Sequence, residues 1–144
     1  MTISRDAVAS FFQKFAASSN SKDTPAEISH FADVFVAAGP SGNAVVKVED
    51  FAKVLPKRRQ LLEASGLVRT SLKSFDVTAS TDRHVVVNNT WEMSFKTQTH
   101  GEVTIPVSAT FTIDMGGESP KVLVYLAHQD ILQILRERGM LAAN

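Results

Sequence analysis

His128 and Asp130 lie two residues apart, so along an extended strand their side chains share a face and could pair. A carboxylate so placed raises the basicity of the imidazole and makes a general base imaginable. Asp130 also stands directly before Ile131-Leu132-Gln133-Ile134-Leu135, where it reads as a helix N-cap whose carboxylate is turned to backbone N–H groups. Tyr125 offers a hydroxyl as donor or acid, although one satisfied hydrogen bond is all that a buried tyrosine needs. Asn89 is set among Val85, Val87, Trp91 and Met93. An amide in such company must find partners or cost about 1–3 kcal/mol, so it either orients a ligand or ties down backbone. Lys57-Arg58-Arg59 is the dense basic run. It could grip a phosphate, a carboxylate or an acidic partner, yet with no aromatic residue interleaved it reads as a charged, solvated helix face.

Other chemistries are excluded by what the chain lacks. It contains no cysteine, which removes disulfides, thiolate metal sites and a thiol nucleophile. Its 4 histidines (His30, His84, His100 and His128) are dispersed, with no pair at the spacing that ligates a metal from one helix or strand. His30 is expected on a solvated helix face. Gly116-Gly117 reads as a hairpin turn, with no helix after it to cradle a phosphate, and no Gly-x-Ser-x-Gly elbow occurs. No metal or cofactor is therefore expected. Fifteen basic residues balance fifteen acidic ones, so no global field concentrates polyanions, and nucleic acid is disfavoured as a partner. No apolar run approaches the roughly 18–20 residues of a membrane helix, and the start Met1-Thr2-Ile3-Ser4-Arg5-Asp6 is polar. A soluble, cytoplasmic protein with no membrane contact is the expectation.

These residues need elements to place them. The 144 residues, 44% hydrophobic, suit one domain over 1–144. Ser4 is placed to cap a helix over about 5–18, with Val8, Phe11, Phe12 and Phe15 on one face. Thr24-Pro25-Ala26-Glu27 looks like a capping box opening a second helix that carries Ile28, Phe31, Val34 and Phe35 and ends before Gly39-Pro40-Ser41-Gly42. A brief extended piece at 44–48 leads to a third helix, ending near Gly66, with Phe51, Val54, Leu55 and Leu62 on one face. A kink or break is expected at Pro56. From Leu67 the pattern alternates, and four strands are expected. The first slips phase between Leu72 and Phe75, as a bulge would make it. The second puts Val85, Val87, Asn89, Trp91, Met93 and Phe95 on one face, and the third Val103, Ile105, Val107, Ala109, Phe111 and Ile113. The fourth, 121 to about 128, is apolar on both faces and should be central. A short helix follows Asp130. The class is α+β, with helices packed on one side of a curved, mainly antiparallel sheet.

With that order of elements, three strings carry a resemblance: Phe31-Ala32-Asp33 ahead of the Gly39-Pro40-Ser41-Gly42 turn, Leu61-Leu62-Glu63-Ala64-Ser65-Gly66, and the ending from Asp130 to Gly139. Over nearly its whole length the chain resembles the nuclear-transport-factor-2-like superfamily, and within it the SnoaL-like polyketide cyclases and ketosteroid isomerases. The resemblance implies a cone-shaped, cystatin-like fold, a pocket between the concave sheet face and the helices, and a homodimer formed through the outer sheet face. It also implies where catalytic groups would stand. The isomerase tyrosine matches Phe15, its general base Gly39, and its oxyanion-binding aspartate a place near Ala109. The cyclase histidine and acid match Ala109 and Ala127. None of these residues moves a proton.

By strand phase the pocket is expected to be lined by Phe15, Asn89, Trp91, Val107, Ala109, Phe111, Tyr125, Ala127 and Gln129. The alternative is that these side chains fill a core. Three functions stay open. The chain could bind a small apolar molecule without catalysis. It could be a cyclase- or isomerase-like enzyme with a shifted acid–base set drawn from Tyr125, Asn89, Gln129, His128 and Asp130. Or it could be an accessory homodimeric assembly module.

Overall fold

The computed structural model describes residues 3–141. Helix α1 (Arg5–Ser21) starts where Ser4 Oγ accepts from the Ala7 N–H, and it buries Val8, Phe11 and Phe12. Helix α2 (Thr24–Ile28) is capped by Asp23 and has only 5 residues. The chain then becomes strand β1 (Phe31–Gly39), which returns as β2 (Gly42–Lys47). The helical reading of Phe31, Val34 and Phe35 is thus corrected. Phe31 and Phe35, four apart, share a face in a strand as they would in a helix, and both are buried while Val34 stays 53% exposed; the pairing of β1 with β6 also slips between Phe31 and Val36. This irregular strand mimics a helical repeat.

Helix α3 (Val48–Ala64) runs unbroken through Pro56. The missing N–H costs the helix about 3 kcal/mol in a free peptide, and the packing of Phe51, Leu55 and Leu62 offsets that here. Strands β3 (Leu67–Ser80), β4 (His84–Thr97), β5 (Gly101–Asp114) and β6 (Lys121–Ala127) follow, then α4 (Ile131–Glu137). The four strands expected from Leu67 are present, and β1 and β2 extend the sheet to six, in the order β2-β1-β6-β5-β4-β3. It is mixed: β1 lies parallel to β6, and the other pairs are antiparallel. β6 is central, as its two apolar faces require. The expected slip in β3 falls between Leu72 and Ser74.

The sheet's concave side carries the odd-numbered residues of β4 and β5, from Val85 to Phe95 and from Ile105 to Ile113. Two buried clusters divide it. One gathers Val8, Phe11, Phe12, Phe31, Phe35, Trp91 and Phe111 beneath α1 and the start of α3. The other joins Leu62 to Met93, Phe95, Ile105, Ile131, Leu135 and Met140 beneath α4. Full burial of each such side chain contributes roughly 1.5–3 kcal/mol. Among the described residues no helix is long and apolar enough to cross a membrane.

Candidate functional site

Pairing sets a transverse row of small residues on the concave face. Ala109 stands opposite Asn89 on one side and Ala127 on the other. Gly39 neighbours Ala127 so closely that a Cβ there would sit 3.5 Å from the alanine's own. Next to this row are Ala37, Tyr125 and Phe111, again side by side. Large side chains flank Gly39, Ala127 and Ala109, and none rises from these three positions. Gly39, Val107, Tyr125 and Ala127 point to the packed side of the sheet and still keep part of their surface exposed.

Helix α3 links the two clusters. Phe51 packs on Phe31 and Phe35 at 4.9 and 5.2 Å between ring centroids, in the first cluster, whereas Leu62 belongs to the second. The stripe 51, 55, 58, 62 therefore runs from the first cluster to the second, and its one polar member is Arg58, which is exposed. Tyr125 packs its ring 4.8 Å from Phe111 and 6.4 Å from Phe31. Its hydroxyl has no hydrogen-bond partner among the described residues. Burial pushes the phenol pKa upward, and the nearby charge of Arg58 pulls against that rise.

The other residues singled out in the sequence are engaged elsewhere. Phe15 lies 5.8 Å from Trp91 and 5.5 Å from Phe111, plugging the first cluster. Asn89 Oδ1 accepts from Trp91 Nε1–H at 2.7 Å, and its Nδ2 donates to the Val87 carbonyl at 3.2 Å, so the amide is fully used inside the protein. Ala109 and Phe111 are buried in the same core. Gln129 is exposed; its Oε1 accepts from the Ser108 N–H at 2.8 Å. Asp130 caps α4, accepting from Leu132 and Gln133 N–H.

His128 turns to the convex face instead of pairing with Asp130. Its Nδ1 is 2.8 Å from Ser108 Oγ and its Nε2 2.7 Å from Thr110 Oγ1. Thr110 donates to Asn88 Oδ1, so it must accept from Nε2–H, and Nδ1 then accepts from Ser108.

Two expectations about charged groups are corrected. His30 is half-buried rather than solvated: its Nε2 lies 3.0 Å from Ser18 Oγ and its ring contacts Phe11 and Phe15. Loss of hydration lowers its pKa, and the charge of Lys121 adds to the effect. Arg59 does not belong to a solvated face, because it bonds Glu27 and Thr24 and so ties α3 to α2. The Glu27 pKa is nonetheless raised, since desolvation outweighs the attraction of Arg59.

The sequence singles out Arg58 only as part of the basic run 57–59, read as a solvated face that could also grip an anion, and Arg58 is indeed exposed. The signal that sets it apart is its spacing from Phe51, Leu55 and Leu62. A groove of about 750 Å³ between α1 and β3, lined by Phe12, Ala16, Ala17, Asn20, Thr70 and Leu72 among others, was also not foreseen. Among the described residues no group of three or more acidic or histidine side chains could hold a metal ion.

Comparison with solved structures shows the fold. The benzoate 1,2-dioxygenase beta subunit of Burkholderia mallei superposes with a TM-score of 0.71 at 14% identity, covering 93% of this chain and 95% of that one. An NTF-2-like protein of unknown function from Shewanella oneidensis gives 0.66 at 10% identity, over 86% and 98%. A protein of unknown function with a cystatin-like fold from Nostoc punctiforme gives 0.67 at 10% identity, over 90% and 96%. No protein-family model and no curated protein matches the sequence. The chain thus has the α+β, cystatin-like fold of the nuclear-transport-factor-2-like proteins.

Proposed function

We propose that this protein binds a small, largely apolar molecule in a hollow between the concave sheet face and α3, without an acid–base set of its own. The observation that carries this reading is the make-up of the concave face. Gly39, Val107, Tyr125 and Ala127 retain exposure there, and the concave faces of β4, β5 and β6 bear no carboxylate or imidazole. Proton abstraction needs a base within hydrogen-bond reach of the substrate. Here His128 faces away and Asp130 is held as a cap. Hydrocarbon walls with one hydroxyl and one cation suit binding and orientation.

The same fold serves as a dioxygenase subunit in the Burkholderia protein, which keeps an assembly role in view. We place that role on the convex face as contact with a second copy of this chain. Leu126 is 40% exposed there, beside the hydroxyls of Ser108 and Thr110.

Native mass spectrometry of the purified protein tests both points. A retained apolar ligand on a two-subunit species is expected. A ligand-free monomer that also fails to take up decanol would overturn the proposal.

A further inference from the structure

We propose that the molecule held in this hollow carries a carboxylate, received by the Arg58 guanidinium and the Tyr125 hydroxyl. This rests on the binding reading above and names the chemistry of its ligand. Arg58 occupies the inward stripe of α3 between Leu55 and Leu62, both buried. Phe51 at one end of that stripe touches the Phe31 that also stacks with Tyr125, and Leu62 at the other end joins Met93 and Ile105. Arg58 therefore stands between the two clusters, near enough to Tyr125 for its charge to be felt at the phenol.

Its charge is uncommitted. The basic residues on either side of it are otherwise placed: Arg59 pairs with Glu27, and Lys57 is exposed. Among the described residues no ion pair or side-chain hydrogen bond engages Arg58. Tyr125 likewise presents a hydroxyl without a partner, its ring fixed by Phe31 and Phe111. A guanidinium is a planar fork that receives two carboxylate oxygens at once, and a phenol O–H donates a third bond. The partly exposed Val107 and Ala127 then meet the hydrocarbon body of the acid. Neither donor takes or gives up a proton in this arrangement, so it orients the ligand without transforming it.

Calorimetric titration, with fluorescence of Trp91 as the single-tryptophan reporter, separates the ligand chemistry from the binding reading. The probes are decanoate and hydrocinnamate, with decanol and hydrocinnamyl alcohol as uncharged counterparts. The acids should bind roughly ten-fold or more tightly than the alcohols. Arg58→Gln, an exposed position whose change leaves the core intact, should erase that preference while alcohol affinity holds. Tyr125→Phe should weaken the acids by about three- to ten-fold. Equal binding of acid and alcohol, or a preference that survives Arg58→Gln, would overturn the carboxylate assignment and leave the apolar site standing. Failure of all four probes to bind would overturn the binding reading itself.

Discussion

At the scale of single residues, the buried polar groups show what is committed to structure. Asn89 serves Trp91 and Val87, so Asn89→Ala removes both bonds, strands the indole N–H and opens a small cavity. A loss of about 2–4 kcal/mol in urea unfolding is expected, with the fold retained. His30 predicts the pH response. Its pKa in the fold lies below the unfolded value of 6.5, so the unfolded chain takes up protons first as pH falls. The stability His30 lends is complete above 6.5 and declines below it. His30→Asn should flatten the pH dependence of the unfolding midpoint just below 6.5, relative to the parent protein. The sequence made Asn89 legible as a polar residue in an apolar row. It hid His30, because whether an imidazole is wet depends on α1, which no local pattern around residue 30 reveals.

At the scale of elements, β3 and the turn into it carry the clearest consequences. β3 is an edge strand, and Asn20 covers part of that edge: its Nδ2 donates to Thr70 O at 2.8 Å and its Oδ1 accepts from Thr70 N at 3.0 Å, the two bonds a neighbouring strand would make. Asn20→Ala should speed hydrogen exchange at the Thr70 amide and favour edge-to-edge self-association, seen as an earlier-eluting species in size-exclusion chromatography. Gly66 sits at φ 99°, with Lys96 O only 2.5 Å from where a Cβ would go. Gly66→Ala should cost about 2–4 kcal/mol in denaturant unfolding, combining backbone strain with the displacement of β4. Alternation made β4 and β5 readable residue by residue, since a regular strand with one dry face obeys period two. The reading of β1 failed because residues four apart share a face in a strand as well as in a helix, so Phe31 and Phe35 fit both, and the exposed Asp33 between them hides the alternation.

At the scale of the whole molecule, three strands, β1, β6 and β5, place Gly39, Ala127 and Ala109 side by side at one level, and α3 runs between the two buried clusters. Strand phase foretold Ala109, Ala127 and Tyr125 on the concave side. Resemblance alone pointed to Gly39, and Arg58 was visible only within its basic run; that Gly39 lies beside Ala127 follows from the parallel pairing of β1 to β6, a property of the assembled sheet. If the row of small residues is kept open for a ligand, filling it should abolish binding without harming the fold; if it is merely core, filling it should harm the fold. Ala127→Leu decides between these, measured by calorimetric titration of decanol alongside thermal unfolding. The account predicts that binding is lost while the melting temperature holds or rises. Undiminished decanol binding, or a steep fall in melting temperature from overpacking, would contradict it.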